Sequence, residues 1–120
     1  MPPEWGDIVL IPVPFTDLTS HKRRPVIVIS NDDYNRRSPD MVVVAMTSNP
    51  SVTPYSFQVT TADLRRGRLN RPGTVRVDKI YTLSQDLVVK TFGGVDRRTM
   101  SRIRRLLRDM TAQRAASHAN

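Results

Sequence analysis

Cysteine is absent from the 120 residues. Disulfide scaffolds, thiol nucleophiles and cysteine-ligated zinc are excluded with it. Histidine is nearly absent, with only His21 and His118, too few for a histidine metal site. No cofactor and no metal are expected. The longest apolar run, Ile8–Phe15, falls far short of the roughly 18 residues a membrane helix needs. A basic leader is missing too: Glu4 and Asp7 stand at the start, so nothing reads as a secretory signal and a cytoplasmic location is expected. Acidic residues are scarce beside basic ones, 11 Asp and Glu against 19 Lys and Arg, a net charge of +8. That imbalance favours polyanionic partners, nucleic acid first and acidic membrane surfaces second. Sixteen of the 19 basic residues are arginine. Either the coding genome's base composition sets that bias, or the planar guanidinium fork is there to match phosphate.

What is present fits one small globular domain. Hydrophobic residues make up 38% and charged residues 25% of a 13.6 kDa chain, which is neither disordered nor fibrous composition. The apolar blocks are short and rich in Val and Ile. Strands are predicted at Gly6–Ile11, Pro25–Ser30, Met41–Thr47, Tyr55–Thr60, Gly73–Asp78 and Leu87–Phe92. Pro12 and Pro14 place an edge, a bulge or a strand end after the first. The second and third are nearly continuous apolar runs, as in strands buried on both faces. In Gly73–Asp78, Val75 and Val77 share one face while Thr74, Arg76 and Asp78 share the other. The segment Asn31–Asp40 has turn chemistry, with room for one helical turn. A short helical turn at Ala62–Leu64 precedes the basic stretch Arg65–Arg71. Asp96 is a good N-cap for a final helix whose Met100, Ile103, Leu106, Leu107 and Met110 recur at helical spacing. That stripe packs the helix on the sheet and leaves a solvated arginine face, rather than a helix for reading DNA. Residues 1–112 are expected to form the single domain, and 113–120 to fray. The fold class is mainly β with helices (α+β), a small twisted barrel with a C-terminal helix.

The order of these pieces resembles the MazF/PemK toxins of toxin–antitoxin pairs. The residues carrying the resemblance are Gly6–Asp7–Ile8–Val9, then Arg24–Pro25–Val26–Ile27–Val28–Ile29–Ser30, then Tyr34–Asn35. It continues through Val43–Val44–Ala45–Met46–Thr47–Ser48, Val75–Arg76–Val77–Asp78 with Lys79–Ile80, and the helix after Gly94–Val95–Asp96. It spans roughly residues 6–110. The resemblance implies an SH3-like barrel of the MazF/PemK/CcdB type that acts as a homodimer. It implies metal-independent, sequence-specific cleavage of single-stranded RNA to 2′,3′-cyclic phosphate and 5′-hydroxyl ends. It also implies a cognate antitoxin whose acidic disordered tail occupies the RNA groove.

By that resemblance Arg24 is the catalytic arginine before proline and Thr47 the active-site threonine at a strand end. Arg76 and Asp78 match an Arg-x-Asp pair used by some members. Many members carry a Glu in the loop before the Arg-Pro pair, whereas Thr16–Arg23 has none.

Cleavage by the RNA's own 2′-hydroxyl needs a proton acceptor, a stabiliser of phosphorane charge and a proton donor to the leaving oxygen. Arg24 suits the second task, because a guanidinium stays charged and clamps phosphate. Thr47, with Ser48 beside it, can orient the phosphate. Arg76 and Asp78 form either a clamp and base or a surface ion pair. His21 has a reference pKa near neutrality. His21, Lys22, Arg23, Ser48 and Lys79 are candidate RNA contacts, and Arg65–Arg66–Gly67–Arg68 a second basic grip. Tyr34, Tyr55, Phe57 and Tyr81 offer either stacking platforms or half-buried strand packing, with Phe57 the best core candidate. Two other readings stay open: a catalytically silent RNA-binding barrel on the same fold, and a gyrase poison like CcdB. The second lacks its usual Trp-Gly-x-Ile ending, since the chain closes on Ala115–Asn120.

Overall fold

The computed structural model describes residues 1–12, 23–51 and 53–113. His21, Lys22, most of the Thr16–Arg23 loop and the 114–120 tail therefore lie outside the described residues. The strands are β1 (Asp7–Pro12), β2 (Arg23–Val28), β3 (Asp40–Thr47), β4 (Ser56–Val59), β5 (Leu64–Gly67), β6 (Gly73–Ser84) and β7 (Lys90–Val95). The helices are α1 (Asp32–Arg37) and α2 (Arg97–Thr111), with single 3₁₀ turns at Thr61–Asp63 and Gln85–Leu87. All strand pairs are antiparallel, in one sheet of order β4-β6-β3-β2-β1-β7-β5. The sheet curls into a half-barrel that α2 closes on one side.

Two of the predicted strands run three or more residues past their expected C-terminal ends, and the last begins at Lys90, after the 3₁₀ turn Gln85–Leu87, rather than at Leu87. The strand read as ending at Gly73–Asp78 runs on to Ser84. Opposite it, β3 steps from Val44 to Ala45 while the partner on β6 steps from Ile80 to Arg76. The extra residues on β6 form a bulge, and their odd number reverses which face each later side chain takes. Val75 and Val77 join the core under α2, whereas Tyr81 and Leu83 pack into a second core on the opposite face. A period-two pattern that is unbroken in sequence thus serves two different cores. The last strand runs through Gly93 and Gly94 instead of stopping there. A Cβ on Gly93 would approach the Arg66 carbonyl to 3.0 Å, and one on Gly94 would approach Arg65 Nε to 2.9 Å. These glycines let β5 lie against β7.

No strand was predicted in the basic stretch Arg65–Arg71, yet Arg65–Gly67 belong to edge strand β5. Gly67 ends it at φ +81°, where a Cβ would also fall 2.8 Å from Gly93 Cα, so only glycine fits. Buried Asp7 ties this edge to β1. Its carboxylate accepts from the Arg66 guanidinium, lies 3.5 Å from Arg65 and accepts from the Glu4 amide at 2.8 Å. β1 itself is interior, flanked by β2 and β7; the sheet's edges are β4 and β5. Pro12 is its last residue, which fits a residue that cannot donate to a ladder.

The first core gathers Ile8, Ile27, Val44, Phe57, Val75, Val77, Met100 and Ile103. The second gathers Val9, Ile11, Val26, Val28, Met41 and Val43. Consecutive residues of β2 and β3 feed opposite cores, which explains their continuous apolar runs. Asp96 caps α2 as expected, accepting from the Thr99 amide at 2.8 Å. Asn31 caps α1 by accepting from the Tyr34 amide at 2.8 Å. Ile103, 1% exposed, anchors α2 to the sheet. Replacing it with alanine is expected to lower unfolding free energy by about 2–5 kcal/mol in urea titrations; a loss below about 1 kcal/mol would mean that the helix is not packed as described.

Candidate active site

A cleft of about 610 Å³ opens where β2 begins and β3 ends. Arg23, Arg24, Thr47 and Ser48 line it, together with Asn70 and Arg71 from the segment leading into β6. The register explains the meeting. Ile11 faces Arg24, Val26 faces Ala45 and Thr47 faces Thr74. Following the β2–β3 alignment two residues further sets Arg24 across from Thr47. Strand alternation then turns Arg24, Thr47 and Thr74 toward the same side of the sheet.

None of the cleft's described lining residues is a carboxylate, while three are arginines. Arg23, Arg24 and Arg71 form no ion pair with any described carboxylate. A concave surface carrying one sign of charge focuses its potential on an anion. The Thr47 hydroxyl oxygen accepts from the Asn49 amide at 3.2 Å, which turns the strand end and leaves the hydroxyl proton to donate. The Ser48 hydroxyl makes no hydrogen bond among the described residues. These are the donors a phosphate requires.

Arg76 and Asp78 do not line the cleft. Arg76 lies opposite Ala45 on one side and Ser56 on the other, one pleat along β6 from Thr74 and on its face. That is about 7 Å along the strand, within reach of an arginine side chain. Asp78 follows two residues on along the same face, and the two form a two-pronged pair: Nε to Oδ1 at 2.9 Å and Nη2 to Oδ2 at 2.8 Å. The hydrogen bond from Arg76 holds the Asp78 carboxyl below its ordinary value of 3.8, against the opposing pull of desolvation. The same bond pushes the Arg76 guanidinium above its ordinary value. Asp78 is therefore a poor proton acceptor at neutral pH and a good orienting group for Arg76. Lys79 is exposed on the bulge outside the cleft.

None of the four candidate stacking residues lines the cleft. Phe57 is 5% exposed and belongs to the core, Tyr55 and Tyr81 pack against the two cores, and Tyr34 lines a separate groove with Trp5. The cleft's aromatic is Phe92. Arg71, Asn70 and Phe92 were missed in the sequence. A signal was present for Arg71: Arg71–Pro72 enters β6 as Arg24–Pro25 enters the body of β2.

The family model for the PemK-like, MazF-like toxin of type II toxin–antitoxin systems matches residues 4–111. The chain belongs to the PemK/MazF toxin family. No curated protein matches it. Among solved structures it is similar to an endoribonuclease from mycobacterial species, with 26% identity, a TM-score of 0.71 and coverage of 91% of this chain and 90% of that one. It is also similar to a mycobacterial endoribonuclease in complex with its cognate antitoxin, with 24% identity, a TM-score of 0.73 and coverage of 93% and 99%. MazF from Deinococcus radiodurans gives 20% identity, a TM-score of 0.70 and coverage of 92% and 96%. The half-barrel with a C-terminal helix is thus the PemK/MazF fold, as the sequence had suggested.

The Arg76–Asp78 pair makes a pH prediction. A carboxyl depressed in the folded state stabilises the fold above its unfolded pKa of about 4. That contribution fades as pH falls through the depressed folded value. Carboxyl carbon NMR of Asp78 is expected to titrate below 3.8, and Arg76→Ala is expected to return the midpoint upward. An unchanged midpoint in the variant would show that the pair is not formed in solution.

Proposed function

We propose that this PemK/MazF family member is an endoribonuclease toxin that cleaves single-stranded RNA at the Arg24–Thr47 cleft. The observation that carries the reading is the meeting of Arg24, Thr47 and two further arginines in one cleft whose described lining holds no carboxylate. In the reaction the RNA 2′-hydroxyl oxygen attacks the adjacent phosphorus as its proton leaves. The bond from phosphorus to the 5′ oxygen breaks, and that oxygen gains a proton. The products are a 2′,3′-cyclic phosphate and a 5′-hydroxyl. Arg24 binds the non-bridging oxygens and stabilises the charge that grows on them, with Thr47 and Ser48 donating to the same phosphate. Arg76, oriented by Asp78, grips the neighbouring phosphate. His21, close to Arg24 in sequence, contributes a contact to the RNA. Lys22, Arg23 and Lys79 contribute contacts to the RNA backbone.

The reaction is proposed to need no metal and to take place in the cytoplasm; among the described residues no helix is long and apolar enough to cross a membrane. The active unit is proposed to be a homodimer, of one domain per chain over residues 1–112. A cognate antitoxin would silence it by laying an acidic tail across the arginines of the cleft, as charge complementarity favours.

Incubation with single-stranded RNA in EDTA is expected to yield fragments with 2′,3′-cyclic phosphate and 5′-hydroxyl ends. Arg24→Ala is expected to slow cleavage roughly 100- to 1000-fold, the loss of one transition-state donor, with thermal stability unchanged. RNA that binds in a salt-dependent way but is never cut would instead support the silent barrel, which the absence of a loop Glu favours. Light scattering is expected to give twice the 13.6 kDa chain mass; a monomer that still cuts RNA would remove the dimer from the reading.

A further inference from the structure

The arginine face of α2 is not uniform. One groove of about 490 Å³ lies between α2 and edge strand β4, lined by Arg98, Arg102 and Arg105 from the helix and by Phe57 and Gln58 from the strand, with Asp63 at its border. The three arginines lie on one side of the helix, as their spacing of four and three residues requires. The Arg102 guanidinium lies 4.2 Å from the centre of the Phe57 ring. Stacking of that kind fixes the plane of the fork while leaving its edge for an anion. Asp63 also lines the groove; its Oδ2 accepts from the Thr60 amide at 2.8 Å in a capping box, so the lining holds three guanidiniums to one carboxylate. Arg98, Arg102 and Arg105 make no ion pair with a described carboxylate. Three exposed cations set against one carboxylate leave the groove net positive, at a cost in self-repulsion that packing of the helix does not require, because Met100 and Ile103 supply the packing.

The groove adjoins the cleft. Thr47 of the cleft pairs with Thr74, and Thr74 pairs with Gln58 of the groove. Two strand spacings, about 10 Å, separate them. β4 is the edge of the sheet, and Gln58 is exposed on it, so RNA leaving the cleft can turn around this edge to reach α2.

We propose that Arg98, Arg102 and Arg105 form a second phosphate-binding groove that grips single-stranded RNA beyond the cleft. The proposal rests on the reading of RNA as substrate. It makes the groove a backbone grip that adds affinity for long RNA without reading bases, because guanidinium-to-phosphate contacts carry no sequence information.

The test uses uncleavable 2′-O-methyl RNA of two lengths, about 5 and about 20 nucleotides, the shorter near the lower site size of a small barrel. Binding is measured across salt for the wild type, for R98Q/R102Q/R105Q and for R98K/R102K/R105K. The glutamine variant is expected to bind the long RNA roughly tenfold more weakly, with a log–log salt slope shallower by about 2, at about 0.7 per lost phosphate contact. Its affinity for the short RNA should stay within about twofold of wild type. The lysine variant should keep the slope. Equal slopes for wild type and glutamine variant on the long RNA would overturn the proposal. So would equal losses in the lysine and glutamine variants, which would reduce the cluster to packing of Arg102 on Phe57. A glutamine variant that loses a poly-glutamate peptide but keeps long RNA would overturn it in favour of an acidic protein partner. Failure of the wild type to bind even the short RNA would instead overturn the RNA reading of the cleft itself.

Discussion

The pairing of β3 with β6, and the bulge within it, is the constraint on which the rest of the molecule depends. A uniform ladder would keep Val75, Val77, Tyr81 and Leu83 on one face. The bulge opposite Val44 and Ala45 sends the second pair to the other face, so a single strand can close two cores and the sheet can curl. Where the bulge begins, Arg76 and Asp78 still share one face of β6 and pair there.

Electrostatics divides the arginines into two populations. Some are matched by carboxylates: Arg65 and Arg66 with buried Asp7, Arg37 with Asp33, and Arg76 with Asp78. Those pairs pin an edge strand, bridge one turn of a short helix and orient a guanidinium. Others, Arg23, Arg24 and Arg71 at the cleft and Arg98, Arg102 and Arg105 on α2, form no ion pair with a described carboxylate. An exposed matched pair contributes under about 1 kcal/mol to stability, whereas an unmatched cluster holds potential in reserve for an anion. The net charge of +8 is thus not spread evenly. It is concentrated where the sheet's strand ends and the helix leave a concave surface.

Much of the fold was legible because its signals are local. The Val- and Ile-rich runs marked β2 and β3, alternation marked the first half of β6, and Asp96 with its apolar stripe marked α2. The basic segment that forms β5 has no such pattern, since Arg65 and Arg66 become a strand only through the glycines of β7 and the carboxylate of Asp7. The second half of β6 was hidden by its phase reversal. In the site, the family resemblance pointed to Arg24, Thr47, Arg76 and Asp78. Phe92 was hidden because it comes from a distant strand with no polar chemistry to announce it, whereas the Arg71–Pro72 step was visible but nothing local tied it to Arg24.

Residue types alone determined the excess of guanidinium, the lack of thiols, the short buried strands and the capped terminal helix, because these follow from composition and from spacing along a few residues. Tertiary structure alone decided which arginines share a cleft and which side of the sheet Tyr81 joins. Those outcomes depend on strand register. Register is fixed by contacts between residues far apart in the chain, and a shift of one place would exchange every inward side chain for an outward one.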